Sequence, residues 1–131
     1  MSTHAHRTPS RNRLQLNKRI IEILRTVSYE KGFHFYTASG SYTGETATSL
    51  NSFETKIQVV PEASVTFHLQ RGDFKKWIEG TLGDTELAKR ISLIELTLPA
   101  EELRKELLAI VHTRITALRM ELPHHLRHNH A

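Results

Sequence analysis

The chain has 131 residues, 38% of them hydrophobic and 24% charged, with six glycines and four prolines. That is the length of one domain and the composition of a folded one, which excludes a collagen repeat, a low-complexity polymer and a wholly disordered chain. It has no cysteine, so disulfides, thiolate nucleophiles and cysteine metal sites are excluded.

Residues 1–12 are polar, rich in His and Arg, and read as a flexible basic arm with no apolar stretch of the kind a secretory signal carries. The net charge of +4 belongs mostly to this end. Residues 1–31 hold seven basic side chains (Arg7, Arg11, Arg13, Lys18, Arg19, Arg25, Lys31) against Glu22 and Glu30, whereas residues 32–120 are nearly balanced. From Arg13, the positions Leu16, Ile20, Ile23, Leu24 and Val27 follow the three-and-four spacing of an amphipathic helix that ends before Gly32. Arg11, Lys18 and Arg25 recur every seven residues, which on one helix aligns them in a stripe able to track phosphates.

Phe33-His-Phe-Tyr-Thr has high β propensity and is followed by turn residues Ala38-Ser-Gly-Ser, so residues 33–44 suit a short hairpin attached to a helical body. Helical spacing returns from Glu45, with Ala47, Leu50, Phe53, Ile57 and Val60 on one face and Thr43 as the cap. Pro61 closes that helix and suits the first turn of another; from Ser64 to Gln70 the residues Val65, Phe67 and Leu69 alternate like a strand, yet Pro61-Glu62-Ala63 reads as a helix start and favours helix. Gly72 stops it, Asp73 is placed to cap the next, and Gly83-Asp84 repeats the device. Phe74, Trp77, Ile78, Leu87, Ala88, Ile91 and Ile94 are expected in the core. After Pro99 a long helix follows, with Glu101 and Glu102 in its first turns and Leu103, Leu107, Ile110, Val111, Ile115 and Leu118 on its apolar face, closed by Pro123. The expected fold is therefore mainly α: a single compact bundle of about five helices over residues 13–122, with room for the hairpin and a His-rich tail at 123–131.

Three stretches form one long pattern: Tyr42-Thr-Gly-Glu-Thr-Ala-Thr-Ser-Leu50-x-x-Phe53, then Phe67-His68-x-x-Arg71-Gly72-Asp73-Phe74-x-x-Trp77-Ile78, then Leu82-Gly83-Asp84-x-x-Leu87-Ala88. This pattern resembles a family of small archaeal and bacterial domains of unknown function, with the core F-H-x-x-R-G-D-F-x-x-W-I-x-x-x-L-G-D-x-x-L-A. The resemblance covers roughly residues 33 to 118 and leaves the basic arm and the His-rich tail outside it. It implies a compact, mainly helical module without an assigned activity.

The chemistry visible in the residues is sparse. His68, Arg71 and Asp73 suggest an acid–base pair with an anion clamp, or a small-ligand site, yet Asp73 sits where a cap is needed and His68 is as readily a core contact satisfied by backbone. Arg71-Gly72-Asp73 is also the integrin tripeptide, which a helix C-cap explains without an extracellular role. Gly40-Ser-Tyr-Thr-Gly44 could nest an anion before a helix, but lacks a P-loop lysine and carries Glu45. His4, His6, His124, His125, His128 and His130 are many imidazoles on flexible ends, not the fixed frame a zinc site requires. No nucleophile or dinucleotide fingerprint is present, so neither catalysis nor a metal or cofactor is expected.

Three readings follow. The first is a non-catalytic helical binding module that docks a protein partner or self-associates, supported by the aromatics Phe33, Phe35, Tyr36 and Tyr42 if they lie on the surface. The second is non-specific nucleic-acid contact through Arg7, Arg11, Arg13, Lys18 and Arg25. The third is a ligand or enzymatic site at His68, Arg71 and Asp73. A soluble cytoplasmic protein with no membrane contact is the expectation in each case, since no apolar run approaches the about 20 residues needed to cross a bilayer.

Overall fold

The computed structural model describes residues 10–127. In chain order these form α1 (Arg11–Leu24), a 3-10 turn at Tyr29–Lys31, β1 (Phe33–Tyr36), β2 (Tyr42–Ala47), α2 (Leu50–Val59), α3 (Glu62–Arg71), α4 (Asp73–Trp77), a turn of π-helix at Ile78–Leu82, α5 (Thr85–Ile91), α6 (Ala100–Glu121) and α7 (His124–Arg127). The class is mainly helical with one antiparallel hairpin, as expected, but the described residues hold seven α-helices and not about five. Gly72 and Gly83 adopt left-handed backbone (φ 74° and 85°), ending one element and starting the next where the sequence places the stops. A further short helix, α7, follows Pro123 and includes His124 and His125 of the expected tail; His128 and His130 lie outside the described residues.

Both ends of α1 differ from expectation. The Ser10 hydroxyl accepts the Arg13 amide at 3.1 Å, so the helix begins at Arg11 and takes two residues from the expected arm. It stops at Leu24, where Arg25 turns extended, and Val27 then donates its amide to Thr48 O at 2.8 Å. The second helix also starts later than its apolar spacing indicates. Residues 45–47 belong to β2, and Ser49 and Ser52 exchange side-chain and backbone hydrogen bonds in a capping box that fixes the start at Leu50. Thr43 is not a cap: its hydroxyl donates to Phe35 O at 2.8 Å and accepts from the Glu45 amide at 3.1 Å. The strand pairing shifts register between His34 and Tyr36, and Gly44 takes a φ of 91° inside β2 at that irregularity.

Alternation along β1 puts Phe33 and Phe35 into the core and His34 and Tyr36 outward. Phe33 meets Phe35 edge-on at 4.9 Å, and Phe53 lies 5.2 Å from Phe74 and 5.4 Å from Trp77. The Trp77 indole donates to Lys31 O at 2.8 Å, tying α4 to the turn before the hairpin. Leu103, Leu107, Val111, Ile115 and Leu118 form the buried stripe of α6, as the spacing predicts. Arg104 on the same helix donates to Ile57 O and Val60 O, carbonyls that the end of α2 leaves open.

Asp84 does more than cap. It accepts the Leu87 amide at 3.1 Å and also a forked pair from Arg114 of α6, Nε to Oδ2 at 2.9 Å and Nη2 to Oδ1 at 3.0 Å, while only 1% exposed. Removing one partner of such a pair strands the other charge. Asp84→Ala should therefore lower the unfolding free energy in urea at pH 7 by about 3–5 kcal/mol. A loss below about 1 kcal/mol, the range of an exposed pair, would show that water reaches Arg114 and compensates it.

Candidate functional site

Gly72 explains how Arg71, Asp73 and His68 meet. Its left-handed turn closes α3, donating its amide back to His68 O and Leu69 O, and reverses the chain so that Asp73, the first residue of α4, lies beside the last turn of α3. The Asp73 carboxylate then faces sideways and not along its own helix: Oδ2 accepts from His68 Nδ1 at 2.8 Å and from Arg71 Nε at 3.0 Å. The expectation that Asp73 caps α4 is thus corrected; Gly72 holds the cap position with no side-chain bond.

The other His68 nitrogen settles its tautomer. Tyr36 N–H donates to His68 Nε2 at 2.8 Å, so Nε2 carries the lone pair and Nδ1 the proton given to Asp73. The ring is 4% exposed and set against Phe33 at 4.7 Å and Phe67 at 5.0 Å. Burial holds its pKa below the usual histidine value. Asp73 raises it in part through the hydrogen bond and its charge, and Arg71 lowers it again. With both nitrogens engaged, His68 has no lone pair to offer a substrate.

These three residues line one open cleft of about 540 Å³ between β1, the hairpin turn and α3, together with Gly32, Phe33, His34, Tyr36, Ser39, Gly40 and Phe67. Arg71, with its side chain 55% exposed, forms part of its wall. The guanidinium carbon lies 4.9 Å from the centre of the Phe67 ring while Nε is held by Asp73.

Across β1 lies a second feature that sequence reasoning missed as a cluster. His34 Nδ1 and Tyr42 Oη both bond the Thr46 hydroxyl, His34 at 2.8 Å and Tyr42 at 2.5 Å, and Tyr42 Oη meets Tyr29 Oη at 3.1 Å. With Tyr36, whose ring lies 5.5 Å from that of Tyr42, these groups surround a hollow of about 260 Å³. The chain has three tyrosines, and all are here. The Tyr29 phenol is held below its usual pKa by its hydrogen bond with Tyr42 and, second, by Thr46. Tyr42 is pushed above its own: Thr46 acts to lower it, and the Tyr29 bond, burial and the charges of Tyr29 and Glu45 outweigh that. Of the four aromatics considered as a surface patch, Phe33 and Phe35 are core residues (6% and 0% exposed), Tyr36 is half-buried and Tyr42 is exposed. The period-two alternation of Phe33-His-Phe-Tyr carried that signal; Tyr29 and Thr46 had none, because only the folded hairpin brings them together.

The basic residues of the first helix are divided. Arg25 lies past the end of α1 and donates to Glu22 O at 2.6 Å and Thr81 O at 2.9 Å. Arg13 reaches Glu121 of α6. Arg11 and Lys18 are exposed, and Arg7 lies outside the described residues. The glycine-rich turn does not gather free amides: Ser41 N–H donates to Ala38 O, Glu45 N–H to Thr43, and the Glu45 carboxylate pairs with Lys56 at 2.6 Å. No group of three or more His, Asp or Glu side chains that could hold a metal occurs among the described residues, and no helix among them is long and apolar enough to cross a membrane.

The state of His68 gives a pH dependence with a definite sign. A folded-state pKa below the unfolded value of about 6.5 means that the unfolded chain binds the proton more readily. The His68 contribution to stability is therefore complete above that pH and is lost as pH falls from the unfolded toward the folded pKa. In urea titrations His68→Gln should flatten the loss of stability below about pH 6.5 relative to the parent, while costing about 1–3 kcal/mol at pH 7.5 if the Tyr36 amide loses its acceptor. An unchanged slope would show that His68 protonates freely in the fold.

No curated protein and no solved structure matches the chain. Residues 30–130, beginning in the turn before the hairpin, match a family described as Family of unknown function (DUF5752). The match continues beyond Pro123, so most of the His-rich tail falls within it and not outside, as the sequence pattern alone indicated. The matched span takes in the hairpin, the cleft and the helices from α2 onward and leaves α1 before it, and the chain belongs to this family of unknown function.

Proposed function

We propose that the chain is a non-catalytic binding module that docks a protein partner, or a second copy of itself, through the outer face of its hairpin. The observation that carries this reading is the gathering of all three tyrosines on that face, with Tyr29 60% and Tyr42 42% exposed. Tyrosine suits such a role because a large amphipathic ring gives contact area and a hydrogen bond while losing little rotamer entropy. The hydrogen-bonded chain from Tyr29 through Tyr42 and Thr46 to His34 orders these rings before any partner arrives, which reduces the cost of association. Against an enzyme stands His68, whose two nitrogens are occupied.

The test is photocrosslinking in the native cells, with benzoylphenylalanine placed at Tyr42 or at the exposed Thr113 of α6. Position 42 should give a discrete adduct and position 113 none. An adduct of twice the chain's mass marks self-association, and a different mass marks another protein. Equal adducts from both positions, or none from position 42, would overturn the reading.

Nucleic-acid contact is the weaker proposal, because Arg13 and Arg25 are occupied within the fold. It predicts that Arg11→Ala with Lys18→Ala weakens salt-dependent binding to short duplexes in fluorescence anisotropy. Unchanged affinity removes these two residues from it.

A further inference from the structure

We infer that the cleft between β1 and α3 is a small-molecule site for a neutral, planar ligand that presents a hydrogen-bond acceptor beside a donor, such as an aromatic amide or a lactam edge of a heterocycle. This goes beyond the docking face, with which it shares only the His34–Tyr36 rim. Three observations converge on it.

The first is shape. A cleft of about 540 Å³ lies within the range of about 300–1,000 Å³ typical of ligand pockets. Its walls are mainly rings, with Phe33, Tyr36 and Phe67 among them, and rings favour a flat aromatic guest.

The second is a held donor. The Arg71 guanidinium, on a side chain 55% exposed, lies with its carbon 4.9 Å from the centre of the Phe67 ring and bonds Asp73 through Nε alone, and neither Nη group has a partner among the described residues. Its freedom is already restricted, and a ligand acceptor can use Nη without the entropy cost that a loose arginine would bring.

The third is a neighbouring acceptor. Both bonds to Asp73 land on Oδ2, leaving Oδ1 without a hydrogen bond among the described residues, on a side chain that is 21% exposed.

Charge then selects the guest. Arg71 and Asp73 cancel, and His68 is held neutral between Tyr36 and Asp73. A carboxylate would gain Arg71 but meet the Asp73 charge, and an amidinium would gain Asp73 but meet Arg71. A neutral amide satisfies both: its carbonyl accepts from Arg71 Nη and its N–H donates to Asp73 Oδ1.

Three isosteric probes separate these cases. Benzamide, benzoate and benzamidine are titrated separately into the full-length ¹⁵N-labelled protein at pH 7.5 and constant ionic strength, following the Ser39 and Gly40 amides and the Arg71 Nε–H signal. Benzamide should shift these signals with a dissociation constant in the millimolar range, and each charged probe should bind at least about tenfold more weakly, a difference of about 1.4 kcal/mol. Arg71→Met keeps an aliphatic stem over Phe67 and removes the donors. It should abolish the benzamide shifts while the remaining spectrum reports an intact fold. Equal or tighter binding of benzoate would make the site an anion fork and overturn the proposal, as would the same benzamide affinity in Arg71→Met. If none of the three probes shifts these signals, the cleft is open surface and the proposal fails, whatever the crosslinking at Tyr42 shows.

Discussion

One buried imidazole fixes the geometry on which both proposed surfaces depend. A two-stranded hairpin has little stability of its own, and here an edge amide of β1, that of Tyr36, is satisfied by a side chain from α3 and not by a third strand. Because His68 offers Nε2 as an acceptor to that amide, it donates from Nδ1, and Asp73 Oδ2 lies 2.8 Å away to accept that hydrogen bond. Asp73 is near because Gly72 turns the chain through left-handed backbone between the two helices. The sequence Arg71-Gly72-Asp73 thereby reads as a hinge with a carboxylate behind it. Arg71, drawn to the same carboxylate, becomes part of the cleft wall as a consequence.

The same arrangement bears on His68 as a candidate base. A general base needs a lone pair directed at a substrate proton. His68 has spent its lone pair on a backbone amide, and exchanging tautomers would break two hydrogen bonds at once in a site only 4% exposed. Its lowered pKa reflects burial first, which is what a structural histidine packed among phenylalanines should show.

Legibility in the sequence followed the range of the interactions. The stripe of α6, the Gly72 and Gly83 stops, and the Asp84 cap are local, set by spacing or by backbone within a few residues, and they could be read directly. The start of α2 misled because Ala47 continues the apolar period of the helix while belonging to a strand; the Ser49–Ser52 capping box, a more specific signal four residues long, outranks periodicity. The cluster at His68, Arg71 and Asp73 was visible as a candidate because its members lie within five residues. Its meaning was not, since the Tyr36 amide that fixes the tautomer is 32 positions away. Arg114 on Asp84, 30 positions apart, was hidden for the same reason. The charged stripe through Arg11, Lys18 and Arg25 shows the converse: a seven-residue repeat means one face only while the helix lasts, and α1 ends one residue before Arg25.

The two proposed surfaces meet along β1, and the pleat of the strand explains why they are separable yet adjacent. Phe33 and Phe35 point inward and anchor the strand; His34 and Tyr36 point out and line both hollows. The Tyr36 side chain lines the cleft while His68 holds the Tyr36 amide, so a guest of the proposed kind would meet a residue already held at its backbone. The Tyr36 ring centre lies 5.5 Å from that of Tyr42, and Tyr42 shares the Thr46 hydroxyl with His34. Ordering already present in the free molecule limits how much a ligand can add: the side chains are tied by hydrogen bonds before binding, and only the residual freedom of Tyr36 and the unbonded edge of Arg71 remain to be used. Coupling between cleft and docking face, where both operate, would thus come from that remaining freedom and not from a rearrangement of the fold.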